Sequence, residues 1–232
     1  MWTNSDLKYQ GKSAMKANYK NSVIAGIIMS LFGAGTAVSC RTSTDSYSAE
    51  LTEATANLDP DQIMIITMAI LAALLIISVV AFILRIFVFN PLNVGCFRFF
   101  RLNVEDNTTP LSVIKEGFNE YGRVFITLFL RDLFITLWSC LFVIPGIVKS
   151  YSYRMVPYIL KDYPELSATE VITKSRQMMT GYKWKAFVLD LSFLGWFILS
   201  ALTCGILAIF YTNPYYFNTC AALYTELKKN EQ

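Results

Sequence analysis

Five ionisable residues fall inside apolar segments of this chain: Arg85, Arg131, Asp132, Arg154 and Asp190. A charge within lipid is expensive, so each is either paired or put to use. Counted from the inner ends of their segments, Phe89 for Arg85 and the bounding basic residues for the others, at 1.5 Å per residue, all five sit roughly 6 to 13 Å from the same boundary. Three arginines and two aspartates from four segments therefore make one polar layer. Two chemistries suit it: an ion-pair network that fixes helix register, or an inward-facing cavity, net positive by one, that receives an anionic headgroup or solute. Arg131 and Asp132 point about 100° apart on a helix, so each is expected to pair with another helix rather than with its neighbour. Lys149, Tyr151 and Tyr153 stand apart, near the opposite end of their segment, as an outer gate or an interfacial anchor.

Other chemistry is thinly supplied. There is no histidine, the residue most used for proton transfer near neutral pH and for binding metals. The cysteines at positions 40, 96, 140, 204 and 220 lack the paired spacing of a metal or redox site. They read as small buried hydrophobes. The nucleophile elbow, the paired-histidine zinc motif, the phosphate-binding loop and the intramembrane-protease signatures are all missing. The expectation is a non-enzyme without metal or cofactor. A net charge of +3 offers nothing to nucleic acid.

The elements that must position these residues are apolar helices. Hydrophobic residues make up 54% of the 232-residue sequence and charged ones 16%, against roughly 25% charged in soluble domains. Six apolar segments stand out, 23–39, 63–89, 124–144, 146–160, 186–211 and 215–227. The fourth and sixth are short, covering only about 20 to 23 Å of a roughly 30 Å hydrocarbon core. Charge arbitrates the topology. Four lysines occupy the basic arm 1–22, while the loop 40–62 carries five acids against Arg41, so the arm is expected in the cytoplasm and the loop outside. Lys161, Lys174, Arg176, Lys183 and Lys185 remain inside only if 146–160 crosses back. The expected fold is thus a single polytopic all-α integral membrane domain over 1–232, with about six transmembrane helices and both termini cytoplasmic.

Pro145-Gly146 and Asn213-Pro214 would make the outer turns, since proline ends one helix and suits the start of the next. Asn90-Pro91 and Asn213-Pro214 recur as a partly repeated pattern, either a duplicated half as in transporters or simple helix boundaries. The cytoplasmic segment 161–185 should hold an amphipathic helix. Ser167 and Glu170 form a capping box that opens it, Gly181 lies just past its end, and Val171, Ile172, Ser175, Met178 and Met179 form its stripe. The stretch 110–121 repeats Leu111, Ile114 and Phe118 at helical spacing. Both helices could pack beneath the bundle or rest on lipid.

Several motifs resemble the bacterial integral membrane family grouped as domain of unknown function 975. They are Ile144-Pro145-Gly146 running on to Tyr153, Met155-Val156-Pro157-Tyr158, Ser175-Arg176-Gln177-Met178-Met179, Gly181-Tyr182-Lys183-Trp184 and Asn213-Pro214-Tyr215. Asn90-Pro91 to Gly95 and Arg98-Phe99-Phe100 match more loosely. The proline-glycine hairpin and the helix after it also resemble the membrane domain attached to some glycerophosphodiester phosphodiesterases. That likeness implies a six-helix bundle and no catalytic residues, because the phosphodiesterase chemistry sits in a separate domain. The family brings no settled activity. What remains is a bacterial cytoplasmic-membrane protein with lipids, further copies or partner subunits around it. It would be a small transport or permease-like protein, or else a non-transporting protein that binds lipid or protects against envelope stress such as an antimicrobial peptide.

Overall fold

The computed structural model describes residues 2–32 and 59–230, and at 81, 82, 85 and 86 the backbone alone. Most of the acidic loop 40–62 and the end of the first apolar segment lie outside the described residues. Every regular element among those described is helical: α1 (Asn4–Ala17), α2 (Tyr19–Phe32), α3 (Pro60–Leu84), α4 (Asn90–Asp106), α5 (Tyr121–Leu141), α6 (Val143–Ser152), α7 (Val156–Asp162), α8 (Ala168–Met178), α9 (Lys183–Leu191), α10 (Leu194–Leu202) and α11 (Asn213–Lys229). The chain divides into two compact units, Gly35–Phe87 and the remainder. The physical reason lies in α3. It is apolar on every face, offers no stripe to a protein partner, and buries none of its most apolar stretch.

In the larger unit the axis is α11. Tyr215, Phe217, Cys220, Ala221, Ala222, Leu223, Tyr224 and Leu227 are all buried, so the sixth apolar segment is enclosed by protein. Glycines on its neighbours let them come close: a Cβ on Gly11 of α1 would lie 2.7 Å from the Thr219 Cα, and one on Gly26 of α2 would lie 3.2 Å from the Pro214 ring. The basic arm is therefore a core helix. Thr3 and Asp6 form a capping box at its start, and Leu7, Gly11, Ala14 and Met15 bury one face while Lys12 and Lys16 stay in solvent.

The exposed large apolar residues divide the elements into two sets. They occur on α2, α3, α5, α6, α9 and α10, with Tyr9 alone on α1, and none lies on α4, α7, α8 or α11. Three helices are long and apolar enough to cross a membrane, over Pro60–Val80, Tyr121–Leu141 and Lys183–Leu202. The segment 146–160 breaks at residues 153–155 into α6 and α7. The end of α7 lies beside the start of α5. Arg123, at the start of α5, donates to the carbonyls of Tyr163 (3.2 Å) and Leu166 (3.1 Å), and the Lys161 Nζ donates to the Asn119 carbonyl at 2.8 Å.

The reversal itself falls at Phe142, which is extended between α5 and α6, three residues before the expected Pro145-Gly146 turn. Pro145 sits in the first turn of α6, where a missing N–H costs nothing. Gly146 instead permits close approach, since a Cβ there would come within 2.8 Å of the Ser139 Cα on α5. Asn90-Pro91 and Asn213-Pro214 each open a 17-residue helix, and each follows a five-residue π segment, Arg85–Phe89 and Ala208–Thr212.

The amphipathic helix α8 begins where the capping box places it. The Glu170 carboxylate accepts from the Ser167 amide (2.8 Å) and hydroxyl (2.6 Å), which holds that carboxyl below its ordinary range. Val171, Ile172, Ser175, Met178 and Met179 are buried in the protein core, so the stripe packs on protein. The 110–121 stretch is a 3₁₀ helix, Leu111–Phe118. Gly95 and Gly117 seat it against α4, because a Cβ on either would run into the opposite backbone.

Candidate functional site

Arg154 lies on the turn between α6 and α7, and Asp190 lies in the last turn of α9. The two form a fork, with Nη1 to Oδ2 at 2.9 Å and Nη2 to Oδ1 at 2.8 Å. The Tyr151 hydroxyl donates to Oδ2 (2.9 Å) and the Tyr216 hydroxyl to Oδ1 (3.1 Å), so each carboxylate oxygen has two donors. Arg154 Nη2 also reaches the Tyr216 oxygen (2.9 Å) and the Cys220 sulfur (3.0 Å). Residues 216 and 220 are one turn apart on α11 and face the same way. The rings of Tyr151 and Tyr216 flank the guanidinium at 5.7 and 5.9 Å from their centroids. This knot is electrically neutral and saturated, so an anion could bind Arg154 only by displacing Asp190.

The expected layer therefore comes apart. Arg154 and Asp190 meet, but Arg131 pairs with its own neighbour, Nε and Nη2 reaching Asp132 Oδ1 at 2.8 and 2.7 Å. A long guanidinium arm curls across the 100° between adjacent positions, which a count of helix directions overlooks. No ion pair or hydrogen bond joins the two pairs among the described residues. Arg85 falls in the other unit, and its side chain is outside the described residues. Tyr151, assigned to an outer gate, belongs to the knot. Cys220, read as a hydrophobe, contacts the guanidinium.

Lys149 and Tyr153 face elsewhere. With Trp138 and Phe134 of α5 and with Thr169, Thr173 and Arg176 of α8 they line an open cavity of about 340 Å³. The Lys149 Nζ lies 4.7 Å from the Trp138 ring centroid. Neither Lys149 nor Arg176 forms an ion pair among the described residues, and no carboxylate lines the cavity. A residue assigned to the outer gate thus shares a pocket with the segment assigned to the cytoplasm. In a background freed of the native cysteines, Lys149→Cys and Thr173→Cys should be labelled by an impermeant thiol reagent from one and the same side. Labelling from opposite sides would show that this pocket does not exist in the membrane.

A second polar centre has no forerunner in the sequence reading. The Asp162 side chain, 2% exposed, meets Lys228 (2.7 Å), Arg101 (3.1 Å) and Arg98 (3.9 Å) and accepts from the Tyr224 hydroxyl (3.0 Å). Arg98 is shared with Glu116 and Arg101 with Glu105. The spacing of Arg98 and Arg101 on one face of α4 was a usable signal, although it is also the pattern of a solvated face.

Residues 140–231 match the family model described as a protein of unknown function, DUF975. This stretch is a DUF975 region. It contains the whole Arg154–Asp190 knot and five of the pocket residues named above, Lys149, Tyr153, Thr169, Thr173 and Arg176, whereas Trp138 and Phe134 precede it. In the Asp162 centre the DUF975 region supplies the carboxylate, Tyr224 and Lys228, and the preceding α4 supplies both arginines. No curated protein and no solved structure matches the chain.

Proposed function

We propose that this chain is a non-catalytic, multi-pass protein of the bacterial cytoplasmic membrane. It holds an anionic ligand, a lipid headgroup or a solute, at the pocket between α5, α6 and α8. The observation that carries the reading is the charge of that pocket, two cations from different helices and no lining carboxylate. Both termini and the segment 161–185 lie in the cytoplasm, where their lysines and arginines favour them. Passage of a solute through the Arg154 layer is the weaker reading, because the knot would have to open in every cycle and separate a partly buried carboxylate and guanidinium.

The test is thermal unfolding of purified protein in a zwitterionic detergent. An anionic amphiphile should raise the midpoint in a concentration-dependent way, as mass action requires for a ligand of the folded state. Arg154→Gln and the milder Tyr151→Phe should lower the midpoint yet keep that increment. If no anionic amphiphile protects the wild-type protein, the binding reading is wrong. If Arg154→Gln or Tyr151→Phe abolishes the increment, the ligand site returns to the layer.

A further inference from the structure

We propose that the pocket of Lys149 and Arg176 is a seat for the phosphate group of an anionic membrane lipid, with the acyl chains running along α5. This rests on the anionic-ligand reading above and names the ligand. The argument for phosphate is the number and direction of the donors. Lys149 comes from α6, while Arg176, Thr169 and Thr173 come from α8. Residues 169, 173 and 176 lie at spacings of four and three along α8, so they share one face and aim at one space. An ammonium, a guanidinium and two hydroxyls approaching from two helices suit an anion whose oxygens point in several directions. A carboxylate has two oxygens in one plane and leaves some of these donors unanswered. Arginine supplies a planar two-pronged contact and lysine a point charge, a combination suited to a phosphate.

The argument for a lipid is where the pocket lies. On α5, Phe129, Leu133, Leu137 and Leu141 are exposed apolar residues on a helix long enough to cross a membrane. On α8 no large apolar residue is exposed, while Thr169, Thr173 and Arg176 are. The pocket thus spans the change from a lipid-compatible surface to a water-compatible one, which is the level of a headgroup. Trp138 is half-exposed beside Lys149, and an indole at this level is the side chain that membrane interfaces favour.

The test compares wild-type protein, the double variant Lys149→Gln with Arg176→Gln, and the charge-matched control Lys12→Gln with Lys16→Gln on the exposed face of α1. Each is unfolded thermally in phosphatidylcholine micelles to which phosphatidylglycerol, oleate, or inorganic phosphate without added lipid is titrated. Phosphatidylglycerol should raise the midpoint of the wild type and the control. The pocket variant should need about tenfold or more phosphatidylglycerol for the same rise, the loss expected for removing a charged hydrogen bond. Oleate at the same mole fraction should protect less, and inorganic phosphate alone should not protect. Retention of the full increment by the pocket variant overturns the assignment of the site while leaving anionic-ligand binding standing. Equal protection by oleate overturns phosphate as the recognised group, and equal protection by inorganic phosphate overturns a lipid as its source. No protection of the wild type by any of the three overturns the binding reading itself.

Discussion

Asp162→Asn is expected to be the most damaging single substitution in the larger unit, costing about 3 to 5 kcal/mol, the range found when one partner of a buried ion pair is removed. The Asp162 carboxylate is withdrawn from water and faces Arg98, Arg101 and Lys228. Its replacement by a neutral amide leaves three cations converging on one site. The two arginines keep Glu116 and Glu105, but among the described residues Lys228 keeps only the ring of Tyr163, 5.3 Å from its Nζ. Adding Lys228→Met to Asp162→Asn should therefore restore part of the loss, whereas adding Lys229→Met should not. Lys229 pairs on the surface with Glu226 three residues away, a contact worth less than about 1 kcal/mol. Midpoints of thermal and denaturant unfolding for the three variants check this. A loss below about 1 kcal/mol for Asp162→Asn would show that the centre is hydrated in solution and that the cations do not depend on it.

The residues that carry this centre also show where sequence reading stops. Apolar runs are local, so the spans 60–80, 121–141 and 183–202 are legible from length and composition, and so is the box of Ser167 and Glu170, whose partners are three residues apart. The motifs of the DUF975 region are legible for the same reason. Depth along a helix is also a local quantity, which is why counting from the nearest basic residue places Arg154 and Asp190 at one level although 36 positions separate them. Azimuth is not local. Counting residues cannot tell which way Arg131 turns, and it groups that arginine with a knot it does not join. The same blindness hides the convergence of Arg98, Arg101 and Lys228 on Asp162, because a charge outside an apolar run looks like any solvated residue until α4, α7 and α11 are packed together. The burial of α11 is hidden for a related reason. A helix of Ala, Thr, Cys and Tyr is apolar enough to suggest a membrane, and the glycines that let α1 and α2 approach it closely, Gly11 and Gly26, lie far from it in the sequence.

The second large effect is expected at the knot, where it separates a structural pair from a ligand site. Asp190→Asn removes the charge that faces Arg154 while leaving a group of the same shape, so the guanidinium stays among Tyr151, Tyr216 and Cys220 without its counter-charge. The loss should be several kcal/mol, with the 3 to 5 seen for broken buried pairs as an upper guide, because unfolded states in detergent or lipid also find partners. Arg154→Gln should lose a similar amount, since it leaves Asp190 with two tyrosine hydroxyls and no cation. Arg154→Gln with Asp190→Asn should lose less than the sum of the two, because neither an unpaired cation nor an unpaired anion remains, and an amide at each position can still exchange hydrogen bonds. The non-additive part of such a cycle measures the pair directly, provided each single change introduces no new contact. Recovery in the double variant, unaltered by added phosphatidylglycerol, would establish the knot as the clamp that sets the α6–α7 turn against α9 and α11. If the double variant is as unstable as the sum of the singles, the two side chains act separately. Arg154 would then be available to an anion after all, and the same titration would show it as an increment that disappears with Arg154→Gln and survives loss of Lys149 and Arg176.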